Sequence, residues 1–359
     1  MLFHNIKGKV AMRNFVKYAT ALAVVAGSMT AMQAPAAAAF GDTLKAVKER
    51  GTLRCSGHNG SYLGFAEIDD RGVWTGYDID LCRAMATAIF GDHEGHLEIV
   101  PVGWAQRFPS LQSGDLDVVI KASGWTFGRD TDLNLQYTQP YLLAPMRMMV
   151  NAESGIEDIS GLEGGSICVP AGTSNERYMA DYMARTGLNA EIVAIERTEE
   201  LDSAYLSGRC DGYHQWDVVL GTVRLKADNP DDHILLPEII AAEPIGMIAR
   251  QGDDNWIDIG NWVINALLIA EANGVTSENV DEARANPASP EVAKLLGATP
   301  GIGTQLGLDD DWGYNAIRKL GNTSQIWDRN LGAGSPYKID RGMNALFRDG
   351  GVFYHLILD

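Results

Sequence analysis

The feature that most restricts the fold is a repeated alternation of short apolar runs with helix-patterned stretches. TLRCSG (52–57) reads as a strand, and DIDLCRAMATAIFG (78–91) as a helix with Asp78 near its start and Gly91 just past its end. LEIVPV (97–102) and LDVVIKA (116–122) read as short apolar strands around a turn of helix. The theme then recurs in SICVPAG, SNERYMADYMARTG, AEIVAIE, TEELDSAYLSGR, CDGYHQ, VVLGTVRLKA and HILLPEII. Alternation of this kind argues for parallel sheets covered by helices. After about residue 245 the pattern becomes mostly helical, over 256–274, 289–297, 312–321, 324–331 and 339–349. Two α/β units followed by a helical return imply two lobes, with the chain crossing between them near 145 and 244. Residues 40–145 and 245–359 would then form the first lobe with a helical C-terminal extension, and 146–244 the second.

The first 39 residues read as a targeting segment. Lys7, Lys9, Arg13 and Lys17 precede an apolar stretch, ATALAVVAGSMTAM, and APAAAA precedes a change of composition at Phe40. A basic start, an apolar middle and an A-x-A signal predict cleavage near Ala39–Phe40. The apolar stretch is short and rich in Ala and Gly for a membrane span. Asp258, Asn261, Asn265 and Glu271 interrupt the longest later candidate, 256–274, so the mature chain is expected to be exported and not inserted in the membrane. The full chain carries a net charge of −18; the leader holds four basic and no acidic side chains, leaving −22 on the mature chain. That acidity excludes nucleic acid as the main partner and disfavours anionic membrane surfaces.

Four cysteines, Cys55, Cys82, Cys168 and Cys210, in an exported chain favour disulfides over metal. Of three pairings, Cys55–Cys82 and Cys168–Cys210 are favoured, because each joins a strand to a nearby element within one lobe. The search for catalysis is mostly negative: HExxH, GxSxG and a P-loop are absent. GIGTQLG (301–307) has the wrong glycine spacing for a dinucleotide loop. His93 and His96 suit a polar turn, and DDD (309–311) lacks the spaced ligands and distal Glu of a calcium loop. No catalytic residue, cofactor or metal site is expected.

Ligands in α/β sheets bind at the C-terminal ends of strands. Three stretches lie there: SGWTFGRD (123–130), AGTSNE (171–176) and YHQWDV (213–218). Arg129 offers a carboxylate two parallel N–H bonds, and the helix start at Thr173 and Ser174 offers backbone N–H groups and a favourable dipole. Alone, Arg129 reads equally well as a solvated charge and AGTSNE as an ordinary cap. Together, after strands of two lobes, they favour a clamp for a small carboxylate.

These residues carry a resemblance. GVWTGYDIDLCRAMATAIFGD, RFPSLQSGDLDVV, WTFGRDTDL, ICVPAGTSNE, SGRCDGY, EPIGMIARQGDDNW and the tail from GLDDDWGYNAIRKLGN through RNLGAGSPYKIDRGMNAL resemble the periplasmic polar and general L-amino-acid-binding proteins of ABC importers (solute-binding family 3). The likeness covers essentially the whole mature chain. It implies a bilobed periplasmic-binding-protein fold of α/β class: two Rossmann-like lobes on hinge strands, closing around a ligand. It also implies an amino acid or carboxylate-bearing analogue as ligand and ABC permease membrane subunits as partners. An enzyme on the same scaffold, dehydratase-like, and a sensory binding module are the alternatives.

Carried across residue by residue, Arg129 matches the arginine that grips the ligand α-carboxylate, and Thr173 and Ser174 match the second-lobe residues that complete that site. Ser123, Gly124 and Thr126 fall where the first lobe offers hydroxyls and backbone groups. Tyr62 falls where relatives stack an aromatic ring, and Trp125 is as much packing as pocket. The amino half departs from the pattern. Relatives place an Asp after the CD-containing strand to pair with the ligand ammonium; here Trp216 stands at that position and Asp217 follows. Either Asp217 takes over, or Trp216 lies over a cationic group. Gly124 and Gly128 stand where relatives often carry Thr.

Overall fold

The structure, a computed structural model, describes residues 41–359, so the leader expected at 1–39 lies outside the described residues. The first lobe begins with α1 (Asp42–Arg50), β1 (Leu53–His58) and a small hairpin of β2 (Glu67–Ile68) and β3 (Trp74–Thr75). It continues with α2 (Tyr77–Phe90), β4 (Leu97–Val102), α3 (Arg107–Ser113), α4 (Phe127–Thr131) and β5 (Leu135–Tyr137). β1 and β4 pair in parallel from Leu53↔Leu97 to His58↔Val102, as alternation with helices requires. α2 is buried at almost every position because β4 lies on one side of it and later helices on the other.

The run 116–122 departs from the strand expected there. It makes isolated bridges, Cys55↔Val118 and Val119↔Ile248, and no continuous ladder. The reason is local: side chains take the backbone groups that a ladder would use. Asp117 accepts the Arg54 N–H (2.8 Å), Ser56 Oγ accepts the Ile120 N–H (2.9 Å) and Asp78 accepts the Ala122 N–H (3.0 Å). Ala122 sits at φ +36°, a strained conformation for a residue with a Cβ.

The chain enters a second sheet along β6 (Leu142–Asn151) and builds it with β7 (Ser166–Pro170), α5 (Ser174–Thr186), β8 (Glu191–Ile195), α6 (Thr198–Leu206), β9 (Gly212–Trp216), α7 (Asp217–Arg224) and β10 (His233–Leu235). The sheet order is β10-β6-β9-β7-β8. β7 pairs in parallel with β8 and β9, while β6 runs antiparallel to β9. The chain returns along β11 (Ala241–Ile245), antiparallel to the start of β6, and β12 (Ile248–Arg250), which pairs with β5. β6 and β11 are thus the two strands that join the lobes.

The remainder is helical: α8 (Asp254–Ala272), α9 (Val280–Ala285), α10 (Pro290–Leu295), α11 (Ile302–Leu306), α12 (Trp312–Leu320) and α13 (Thr323–Asn330). Trp256, Trp312 and Trp327, one on each of α8, α12 and α13, are among the largest fully buried side chains. No described helix is long and apolar enough to cross a membrane. The helix expected over 339–349 reduces to two short 3-10 turns, Gly342–Asn344 and Phe347–Asp349. There the tail is held by side chains: Arg341 pairs with Glu271, and Asn344 bonds both the N–H (2.8 Å) and the C=O (3.1 Å) of Leu143 on β6.

Both expected disulfides are present, Cys55–Cys82 between β1 and α2 and Cys168–Cys210 between β7 and the residues leading into β9. One lies in each lobe.

Candidate functional site

A cleft lies between the C-terminal ends of the first-lobe strands and the starts of α5 and α7. Its floor and walls bring together Tyr62, Trp104, Arg107, Ala122 and Arg129 with Pro170, Thr173, Ser174, Asn175, Gln215 and Trp216. The cavity measures about 10 Å³, room for roughly one water, so the lobes must part to admit an organic solute.

Arg129 is held from behind. It sits on α4, whose N-cap is Thr126; the Thr126 hydroxyl accepts the Arg129 N–H at 3.4 Å. Its Nη1 donates to the Gly124 carbonyl (2.7 Å), and the guanidinium lies 5.3 Å from the Phe108 ring centre. Arg107, fully buried, lies over the same ring at 4.2 Å and donates from Nε to Ser123 Oγ (2.9 Å). Burial, then the neighbouring Arg129 charge, pushes the Arg107 guanidinium down to about 9. Ser123 and Thr126 therefore position the two arginines, and neither lines the cavity itself.

Tyr62 stacks on His58 (4.8 Å between ring centres) and meets Trp104 edge-on (5.4 Å), forming an aromatic floor. Below it lies Lys121, fully buried, with Nζ 4.4 Å from the Trp104 ring centre and no hydrogen-bond partner. Burial, then Arg107, holds the Lys121 ammonium well below its ordinary range. Burial, then Lys121 and Arg107, likewise lowers the His58 imidazole well below its ordinary range. Asp78 is the acid beneath this floor; it accepts from Tyr141 Oη (2.9 Å), and burial raises it to about 7.

The second-lobe wall is uncharged. Thr173 is the N-cap residue of α5, its hydroxyl donating to the Pro170 carbonyl (2.7 Å). Asn175 Nδ2 donates to Gln215 Oε1 (2.9 Å), leaving Asn175 Oδ1 buried and unpartnered. Trp216, the last residue of β9, turns into the cavity, its indole N–H buried without a partner. Ser174 reaches across: its hydroxyl donates to Glu243 Oε2 (2.8 Å) on the joining strand β11.

Two expected residues lie elsewhere. Asp217 is the first residue of α7; its Oδ1 accepts the Val218 N–H (2.7 Å), and its Oδ2 lies 3.9 Å from Arg147 Nε, beside a different pocket lined also by Arg341 and Asn344. A single step past the inward-facing Trp216 turns the next side chain away. Trp125 is 40 % exposed, stacks on Tyr137 (5.6 Å) and donates to Asp130 (3.1 Å), so it braces α4 from outside. Four residues escaped the sequence reading: Trp104 and Arg107, which line the cleft, and Glu243 and Lys121, which pack behind its lining. Trp104 and Arg107 follow β4 at a strand exit, the same signal that marked Arg129. Glu243 is an acid inside an otherwise apolar run, IIAAEPIGMIA, which is itself a sign of a buried acid with a partner.

Residues 56–281 match the bacterial extracellular solute-binding proteins, family 3. Over 321 residues the chain is 42% identical to the general L-amino acid-binding periplasmic protein AapJ of Rhizobium johnstonii, spanning 89% of this chain and 93% of that one. It is 37% identical to the glutamate/glutamine/aspartate/asparagine-binding protein BztA of Rhodobacter capsulatus over 91% of this chain and 96% of that one. Among solved structures, the Brucella ovis ABC transporter periplasmic binding protein with glutathione bound superposes with a TM-score of 0.84 at 44% identity, covering 89% of this chain and 99% of that one.

Proposed function

This chain belongs to the bacterial extracellular solute-binding proteins of family 3, and from that premise we propose that it captures an amino acid or a close carboxylate-bearing analogue for an ABC permease. The observation that carries the reading is the meeting of Arg129 from the first lobe and Ser174 from the second at one cleft, with α5 beginning there. Arg129 supplies the permanent charge and the fork for a carboxylate, and the first N–H groups of α5 supply the rest. The work done is binding and release: lobes on two strands close over the solute and present it to membrane subunits. The leader is removed near Ala39–Phe40 and the mature chain acts in the periplasm, in keeping with its relatives' names.

A larger ligand fits a specific feature of the cleft. Arg107 and Arg129 both line it and no acid does, which favours solutes carrying a second carboxylate. Glutathione, bound by the Brucella ovis relative, has that chemistry. Thermal-shift screening of the mature protein against the common L-amino acids, N-methylated amino acids, betaines and glutathione tests both. A ligand at 100 times its Kd adds about 2.7 kcal/mol of stability. A flat response across the whole panel would sink the reading; a response to amino acids alone would remove only the glutathione arm.

A further inference from the structure

The amino half of the cleft lacks its expected acid, and one other carboxylate, Glu243, stands directly behind the cleft's lining, bonded to Ser174. Position 216 is Trp, and Asp217 faces Arg147 outside the cavity. Position 124, where relatives of this type often carry a hydroxyl, is glycine. A Cβ built on Gly124 would lie 2.3 Å from the Glu243 Cδ and 2.4 Å from its Oε2, so any side chain there would collide with this carboxylate. The strand register fixes Glu243 in that place: it stands opposite Ala144 on β6, and the Trp125 N–H donates to the Pro244 carbonyl at 2.8 Å. Its Oε2 accepts from Ser174, and its Oε1 is buried with no partner. The side chain is 1 % exposed.

We propose that Glu243 receives the α-ammonium of the ligand, taking over the role that an aspartate has in related sites. The inference rests on the function proposed above. In an α-amino acid the ammonium and the carboxylate share one carbon, so an ammonium acceptor must stand beside the carboxylate clamp. Glu243 bonds Ser174, one group of that clamp, and Arg129, the other, is the first charge that opposes the upward push of burial on its carboxyl. Charge balance supports the assignment. Before binding, Arg129 bonds the Gly124 carbonyl and Glu243 accepts from the Ser174 hydroxyl, with no ion pair between the two among the described residues. A bound zwitterion gives Arg129 a carboxylate and Glu243 an ammonium, so no buried charge is left unpaired. A des-amino acid supplies only the carboxylate and leaves Glu243 buried beside a second negative charge. The site thus selects amino acids partly by what it does to their competitors.

The test uses matched pairs that differ only in the amino group: L-glutamate with glutarate, and L-leucine with 4-methylpentanoate, titrated calorimetrically into the mature protein. Wild type is expected to prefer the amino acid by about a hundredfold or more, in the range for one buried charge pair. Glu243→Gln should shrink that preference to within about tenfold, while leaving the des-amino acid bound as well or better. Equal losses for both members would mean that Glu243 serves Arg129 alone, and would overturn the proposal; so would an unchanged preference. The double variant G124S/E243A returns a hydroxyl to position 124 and removes the collision, so it keeps the question open to measurement if Glu243→Gln does not fold. It should recover part of the preference, and a double variant with the full wild-type preference would also overturn the assignment. If amino acids bind and Glu243 does not discriminate, this inference falls alone. If neither member of any pair binds wild type, it falls together with the function on which it rests.

Discussion

The two lobes meet the cleft with opposite chemistry. The first contributes Arg107 and Arg129 beside an aromatic floor, whereas the second contributes hydroxyl, amide and indole groups with no net charge. The charged side is pre-assembled: Gly124, Ser123, Thr126 and Phe108 hold both arginines in place before any solute arrives. The neutral side completes hydrogen bonds once the lobes approach. Under the proposed function, such a division predicts that the first lobe sets most of the affinity.

The largest expected effect lies on the charged side. Arg129→Ala should weaken ligand binding by about 2–5 kcal/mol, some thirty-fold to several thousand-fold, because a bound carboxylate would be left unpaired in the cleft. Calorimetric titration reads it, and an unchanged Kd would take the arginine out of the site. Next come the disulfides, one per lobe, which bridge separations of 27 and 42 residues. On loop-closure entropy each contributes roughly 3–4 kcal/mol, the second slightly more. Denaturation of C55A/C82A and C168A/C210A should therefore show similar losses; a large disparity would mean that the lobes do not unfold as one unit.

A smaller effect concerns pH. Asp78 is raised from 3.8 to about 7 in the folded chain, chiefly by burial and against the Tyr141 hydrogen bond. Between those values the folded state keeps a proton that the unfolded chain has released. Stability contributed through Asp78 must then decline as pH rises from about 4 to about 7, and level off above. Asp78→Asn should flatten that slope in urea melts at pH 5 and 8; an unaltered slope would assign it to other acids. The smallest change belongs to the neutral wall. Ser174→Ala should cost about 1.5 kcal/mol of binding, roughly ten-fold, the low end for a hydrogen bond to a carboxylate. Losses as large as that of Arg129→Ala would erase the contrast between the lobes.

Much of this layout is written locally in the chain. The parallel sheets follow from apolar runs alternating with helical periods, and the arginine at a strand exit together with the helix start at AGTSNE can be read without knowing what they face. The disulfides were readable because each joins elements close in sequence. What escaped depends on distant partners. LDVVIKA has strand composition, yet Asp117, Ser56 and Asp78 claim its N–H partners or stand in for them. Glu243 meets Gly124 and Ser174 from far along the sequence, and no local pattern announces that meeting. The choice between Trp216 and Asp217 turns on a change of direction at the end of β9, where a shift of one residue reverses which side chain faces the cleft.

The tail's hold on β6 has a consequence of another kind. Leu143 stands opposite Pro244 in a pair that exchanges no hydrogen bonds, so its backbone groups point the other way, beyond the stretch of β6 that pairs with β9. Bare strand edge of this sort is a template for a neighbouring chain. Asn344 closes it with one side-chain amide, accepting from the N–H and donating to the C=O. A residue in the C-terminal tail thereby protects the joining strands from intermolecular pairing, so a chain truncated before it would be expected to stick to its own copies even if both lobes still folded.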